Sequence, residues 1–203
     1  MYDFHVTYVL FFCKINKKYW YCNFFLYFCA QKSIIMTELY LVRHGETVDN
    51  ANKIMQGQTQ GELNANGIDQ ARTVAKNLAV EQFDAIVSSD LKRSFDTASI
   101  IAEPHGKEVI TTPLLRERDW GGFTGRYIPD LKEEPWPDDI ESLDALKSRA
   151  SEFLDFIRTT FPEQKVLAVG HGIINKAIQA VYYGKPMNEI LKMNNAEVRI
   201  LHI

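Results

Sequence analysis

From Leu39 onward, short unbroken apolar runs alternate with stretches in which apolar residues return every three or four positions. The first pattern suits strands buried on both faces, and the second suits helices with one inward face. LYLV at 39–42 is the first predicted strand. A helix is predicted from about Asn64, its N-cap, with Ile68, Ala71, Ala75 and Leu78 on one face. DAIVSS at 84–89 is a second strand, followed by a helix with an inward stripe of Leu91, Phe95, Ala98 and Ile101. EVITT at 108–112 reads as a third strand. A helix from about Ile140 carries Leu143, Leu146, Ala150, Phe153 and Ile157 and stops before Pro162. KVLAVGHG then supplies a buried strand, IINKAIQAVYYG a helix ended by Gly184, and EVRILHI a closing strand. This alternation predicts an α/β fold: a single three-layer α/β/α domain with a mostly parallel central sheet.

Two stretches depart from that pattern. The segment 114–139, with three glycines and three prolines, is too long for a simple connection, and loops of such length commonly act as lids or binding segments. Residues 1–35 show neither period, yet hold half of the aromatic residues and all three cysteines, Cys13, Cys22 and Cys29. Their lysines sit mid-segment rather than at the start, Phe28 precedes Cys29 where a lipoprotein signal needs a small residue, and the apolar run 19–30 is shorter than the ~20 residues of a membrane span. Residues 1–35 are therefore expected to be an N-terminal extension outside the folded domain, with Met36 the natural start; export or anchoring is the rival reading.

Charge and cysteine content narrow the function classes. Setting aside the extension removes four lysines and one aspartate and takes the formal net charge from −3 to −6, which disfavours nucleic acid or an anionic membrane as a partner. The cysteines lack paired C-x-x-C spacing, so zinc is not expected, and no cysteine follows Cys29, which fits a reducing cytoplasm. A homodimer is left open.

The candidate chemistry lies where strands end. Arg43 and His44 follow the first, Arg93 follows the second, and His171 follows VLAV; in open α/β sheets the ligand crevice lies beyond the carboxyl ends of the strands. Arg93 falls in the first turn of its helix, where the macrodipole disfavours a cation unless an anion binds beside it. A guanidinium fork matches phosphate, Arg43 supplies a second, and Gly45 and Gly172 would let main-chain donors approach closely.

VRHGET at 42–47, S-x-L-x-R at 89–93, L-x-E-x-x-x-G at 115–121 and V-G-H-G at 169–172 together resemble the histidine phosphatase superfamily, which includes phosphoglycerate mutases and broad-specificity phosphatases. One such motif alone is weak; four in order are strong. The resemblance covers residues 38–203 and implies a phosphoglycerate mutase-like fold. It makes His44 the nucleophile that becomes phosphohistidine, Arg43, Arg93 and His171 the binders of the transferring phosphoryl oxygens, and Glu117 the acid that protonates the leaving oxygen and then activates water. Asn50 would add a hydrogen bond, and Gln56, Gly57 and Gly172 complete the expected substrate contacts. The chemistry is sound on general grounds, because imidazole is a competent nucleophile and phosphoryl transfer needs chiefly positioning and charge stabilisation. No cofactor is expected. His44, His171 and Glu117 would also suit a metal, but two guanidinium groups beside it would repel a cation.

Departures touch substrate contacts rather than the nucleophile: GQTQGELNANG keeps only Leu63 of the family's Asp, Pro, Leu, Thr pattern, and its Gly-Glu-Ser element appears as Ile140-Glu141-Ser142. Segment 120–140 offers Arg126 as its single arginine among Asp130, Glu133, Glu134, Asp138 and Asp139, an acidic lid expected to repel a second anionic group. The expected function is hydrolysis of a small phosphomonoester, with mutase-type transfer as the alternative and a non-catalytic phosphate binder as the rival from another class. Asn50 could instead be a turn or cap residue, and Glu46 and Thr47 suit ordering of the local turn as well as contact with substrate, while His105 reads as part of a solvated turn and His202 as part of an edge strand.

Overall fold

The computed structural model describes residues 36–203, and the expected extension at 1–35 lies outside the described residues. Strands β1 (Glu38–Arg43), β2 (Ala85–Ser89), β3 (Val109–Thr112), β4 (Lys165–Gly170) and β5 (Val198–His202) form one sheet in the order β3-β2-β4-β1-β5. Only the β1–β5 pair is antiparallel. The helices are α1 (Val48–Ala51), α2 (Ala65–Leu78), α3 (Lys92–Ala102), α4 (Leu143–Thr160) and α5 (Gly172–Tyr183).

Side-chain alternation along the central strands separates two apolar layers. Leu39, Leu41, Val166 and Ala168 join Phe153 and Ile157 of α4 and Ile174 and Ile178 of α5. Tyr40, Val42, Leu167 and Val169 join Val74 of α2 and Ala98 and Ile101 of α3. The expected three-layer arrangement is present, and its strands read as unbroken apolar runs because both faces are covered.

Helix ends follow the local chemistry. Asn64 caps α2 by accepting from the Gly67 N–H at 2.8 Å, Ser142 caps α4 by accepting from Ala145 N–H at 3.1 Å, and Gly184 ends α5 at φ 62° in the left-handed region. Thr47 and Asn50 form a reciprocal capping box around the four-residue α1, which the apolar pattern did not predict because it buries no side chain.

Helix phase differs from expectation in places. Phe95 is 40% exposed; α3 turns Arg93, Ser94, Thr97, Ala98 and Ile101 inward instead. Ser94 sets that phase, because its Oγ donates to the Val169 carbonyl at 2.8 Å and lies 3.1 Å from Ser88 Oγ. Leu143 is exposed because it occupies the first turn of α4, ahead of the buried stripe from Leu146 to Ile157. In α2, Val74 joins Ala71 and Ala75 in the core while Ile68 and Leu78 are half-buried. His105 is half-buried rather than solvated, its ring edge-on to Phe83 at 5.1 Å, whereas His202 does lie exposed on the edge strand. Segment 114–139 is not featureless: it contains short 3-10 turns at Gly121–Phe123 and Ile128–Glu133.

Because Phe153 is fully buried and Phe95 is not, Phe153→Ala is expected to cost about 3–5 kcal/mol. Phe95→Ser should stay within roughly 1 kcal/mol. Urea denaturation of both variants checks the assignment; equal losses would contradict the observed phase of α3.

Candidate active site

Parallel pairing of β1 with β4 sets Arg43 opposite Gly170, and the His44 N–H extends the ladder by donating to the Gly170 carbonyl at 3.0 Å. His44 and His171 thereby leave adjacent strand ends together, with ring centroids 5.0 Å apart. Their cavity, of about 260 Å³, is lined by Arg43, His44, Asn50, Gln56, Gly57, Arg93, Glu117 and Gly172, together with residues the sequence did not single out: Ile54, Met55, Trp120, Ile128, Ile173 and Lys192. Of the expected site residues, only His171 is absent from this lining, and it lies fully buried against His44.

His44 is 3% exposed, and its Nδ1 lies 2.7 Å from the Gly45 carbonyl. A carbonyl can only accept, so Nδ1 carries the proton and Nε2 keeps its lone pair. Burial, and then the charges of Arg93 and Arg43, hold its pKa well below the usual value. Burial, Arg93, His44 and Arg43 do the same to His171, neither of whose ring nitrogens has a partner among the described residues. Both imidazoles are therefore neutral near pH 7.

The arginines are held differently from the expected open forks. Arg93, 1% exposed, donates through Nη1 to the Thr59 and Gln60 carbonyls and through Nη2 to the Gly57 carbonyl at 2.8 Å. Arg43 donates through Nη1 to the Met193 carbonyl at 2.7 Å. The Nε of each is buried without an acceptor among the described residues, and an anion would supply one. Desolvation lowers the pKa of Arg93 to about 10, opposed by Glu117 and Asp49, so it remains cationic near neutrality. The amides opening α3 are not available to a ligand: those of Lys92 and Arg93 donate to the Gln60 side chain and carbonyl at 2.8 and 3.2 Å.

Glu117 sits at the opening of α5. Its carboxylate accepts from the Ile173 and Ile174 amides at 3.1 and 3.2 Å, so it caps a helix whose N-cap residue, His171, makes no such bond. Arg149 positions the preceding loop, donating to the Leu114 and Arg116 carbonyls at 3.0 and 2.6 Å while paired with Glu141 at 2.8 Å. The retained Glu141 of the sequence element before α4 was the one available signal for this brace.

Asn50 is a cap residue and a cavity residue at once. Its Oδ1 accepts from Thr47 N–H at 3.4 Å and from Asn195 Nδ2 at 3.2 Å, while the residue lines the cavity. Gln56 is buried with Oε1 unpartnered among the described residues, and Gly57 takes φ 52°. A Cβ on Gly172 would lie 3.5 Å from Arg43 Nε and 3.6 Å from Glu117 Oε2, filling the space between them. Gly45 serves another purpose than expected: its N–H is taken by Thr97 Oγ1 at 3.1 Å, and a Cβ there would meet the Gly67 carbonyl at 2.4 Å. It is required for close packing of α2, not for approach to a ligand. Among the described residues no group of three or more His, Cys, Asp or Glu side chains is placed to hold a metal ion.

Residues 39–203 match the model of the histidine phosphatase superfamily, branch 1. The chain belongs to that superfamily. Within the histidine phosphatases it is 38% identical over 165 residues to the "Probable phosphoglycerate mutase GpmB" of Serratia proteamaculans (strain 568), covering 74% of this chain and 77% of the relative. It is 36% identical over 190 residues to the "Metal-independent phosphoserine phosphatase" of Arabidopsis thaliana, covering 83% of this chain and 77% of that one. A solved mycobacterial glucosyl-3-phosphoglycerate phosphatase, complexed with VO3, superposes with a TM-score of 0.74 at 28% identity, covering 80% of this chain and 90% of its own.

The depressed histidine pKa values fix a sign for stability. Above the unfolded value of about 6.5 both states hold neutral imidazoles; as pH falls through it, only the unfolded chain takes up protons, so stability declines until the folded pKa is reached. Between about pH 7 and about pH 5.5 each histidine should contribute a loss of roughly 1 kcal/mol. Urea midpoints of the wild type and His171→Asn at both pH values test this. Identical pH dependence in the two proteins would refute the neutral assignment of His171.

Proposed function

We propose that the protein is a phosphomonoester hydrolase working through a phosphohistidine at His44, without a metal ion. The single observation that carries this reading is the hydrogen bond from His44 Nδ1–H to the Gly45 carbonyl, at 2.7 Å, which leaves Nε2 as an unprotonated nucleophile at the cavity wall. In the first displacement Nε2 attacks phosphorus, the P–O ester bond breaks, and Glu117 serves as the general acid, its carboxyl proton passing to the departing oxygen. Water then gives a proton to the Glu117 carboxylate and attacks phosphorus; the N–P bond breaks, phosphate leaves and neutral His44 returns. Arg43 and Arg93 offset the charge spread over the phosphoryl oxygens, and neutral His171 offers a ring N–H to them. Gln56, Gly57, Asn50 and Gly172 shape the space around that group.

The relatives named as phosphatases support hydrolysis of a small phosphorylated metabolite, and the relative named as a mutase keeps phosphoryl return to a second hydroxyl as the alternative. Arg126, the single arginine of residues 120–140, is paired with Glu134 and does not line the cavity, which favours water as the acceptor. The reducing cytoplasm suits a domain without cysteine after Cys29, and none of the described helices is long and apolar enough to cross a membrane.

The wild type is expected to release phosphate from p-nitrophenyl phosphate in EDTA, and His44→Ala to abolish turnover. Glu117→Gln should lower kcat roughly 10²–10⁴-fold on substrates with a poorly departing alkoxide, and much less with p-nitrophenolate, which leaves without a proton. Turnover by His44→Ala equal to the wild type would sink the proposal. Assaying 3-phosphoglycerate for free phosphate against its 2-isomer separates hydrolase from mutase.

A further inference from the structure

In the β1–β5 register Leu201 lies opposite Leu39 and Arg199 opposite Leu41, so an arginine occupies a position where the apolar layer would take another aliphatic side chain. Its guanidinium donates through Nη1 to Gln179 Oε1 of α5 at 2.7 Å and to the Leu191 carbonyl at 3.1 Å, through Nη2 to the Lys192 carbonyl at 3.4 Å, and through Nε to Glu197 Oε1 at 2.8 Å. The other carboxylate oxygen, Glu197 Oε2, accepts from the Asn194 N–H at 2.7 Å. Neither Arg199 nor Glu197 lines the cavity at His44, nor the outer cavity of about 450 Å³ that shares Arg43 and Asn50 with it and takes in Lys53 and Lys132.

What these two residues hold is the irregular loop 191–197, which leads from the 3-10 turn at Met187–Glu189 into β5. Met193, in that loop, accepts from Arg43 Nη1, the one side-chain hydrogen bond that Arg43 makes among the described residues. No ion pair among those residues includes Arg43, so the direction of its fork depends on this carbonyl. Leu191 and Lys192 before Met193, and Asn194 after it, are all pinned by the same ion pair. The Arg43 main-chain N–H in turn donates to the Glu197 carbonyl at 3.1 Å. Burial depresses the Arg43 pKa, while Glu117 and then Glu197 oppose the shift and help to keep the fork charged. An isolated surface ion pair would contribute little. This one is joined to α5 and to the loop as well as to its own strand.

Resting on the hydrolase reading above, we propose that Arg199, paired with Glu197, is a positioning residue for phosphoryl transfer: it holds loop 191–197 so that the Met193 carbonyl aims the Arg43 guanidinium at the phosphoryl group. Arg199 touches no substrate and acts through Met193 and Arg43. A guanidinium suits the task because its planar fork meets several acceptors in fixed directions, whereas an ammonium is a point charge. An aliphatic residue could pack against Leu41, but it would leave two loop carbonyls and the Glu197 carboxylate without their donor.

Turnover of p-nitrophenyl phosphate and of glycerol 3-phosphate, with calorimetric binding of inorganic phosphate, tests this in Arg199→Leu and Arg199→Lys. Arg199→Leu is expected to lower kcat/KM about tenfold and to weaken phosphate binding, because a small misplacement of a charge-stabilising donor is costly. Arg43 would act on the phosphoryl group and not on the leaving oxygen, so both esters should lose by the same factor. General loosening of the site would reach Glu117 too and penalise glycerol 3-phosphate more. On an Arg43→Ala background, adding Arg199→Leu should change phosphate affinity by less than about twofold, since its effect has already been removed. Arg199→Lys retains the stem and charge, carries the test if the leucine variant does not fold, and should still lose about threefold. Wild-type kinetics in either folded variant, unequal losses on the two esters, or a full further loss beside Arg43→Ala would overturn the positioning role. If the wild type neither hydrolyses an ester nor binds phosphate, the hydrolase reading falls first; if it does both and the Arg199 variants match it, only the positioning role falls.

Discussion

The arrangement depends on one piece of backbone geometry, the parallel register that sets Arg43 of β1 beside Gly170 of β4. A slip of one residue would exchange Leu39 and Leu41 for Tyr40 and Val42 between the two apolar layers, so packing on both faces holds the register. The same register aligns the ends of the two strands, and the His44 N–H bond to Gly170 carries the alignment one residue past the sheet. Asn175 of α5, fully buried, donates to the Val42 carbonyl at 3.0 Å, and Asn195 and Ala196 bind the His44 carbonyl from the other side at 3.1 and 3.2 Å. The backbone of the candidate nucleophile is therefore fixed from three directions before any ligand is considered.

That rigidity lets two guanidinium groups and two imidazoles share a buried space. Desolvating a cation is costly, and the structure offsets the cost with fixed dipoles rather than with a tight ion pair: three loop carbonyls for Arg93 and one for Arg43. Carbonyls compensate without neutralising, so the positive field persists where the phosphoryl group would lie. The histidines respond by staying neutral. Positive charge and an imidazole lone pair thus coexist in one buried space because the cations are buried but not cancelled.

The sequence revealed most of the frame and most of the residues that the fold gathers around one cavity, and the reasons for its failures are physical. Unbroken apolar runs identify central strands because both faces are covered, and the polar residues at their ends stand out by contrast. Phase within a helix is less legible when its inner face is polar. In α3, spacing placed Phe95 inward from Leu91, yet Ser94, with hydrogen-bond partners on β2 and β4, turns the helix so that Arg93 and Thr97 are buried and Phe95 is not. Gly45 shows a second limit: its position beside His44 suggested ligand approach, whereas the constraint comes from Gly67, distant in sequence and reached only after α2 packs. Arg149 is a third, since nothing in a helical stripe marks the one charged residue whose donors serve the loop bearing Glu117.

The long segment illustrates why charge composition is a poor guide to local field. Its acidic residues outnumber its basic ones, but what a ligand meets is set by which of them face the cavity and which are already paired. Glu134 is cancelled by Arg126, and Asp139 is spent on a turn at Gly122, while Lys132 stays uncommitted on the cavity side. Strand ends hold the arginines and imidazoles of the candidate site, in a geometry fixed by two packed layers. Loops supply the outer cavity, where Lys53 and Lys132 lie on exposed turns that contribute little to the core. Substitution at those positions can therefore alter the outer cavity without disturbing the register that places His44, so the strand-end groups and the loop-borne wall are mechanically separable in this fold.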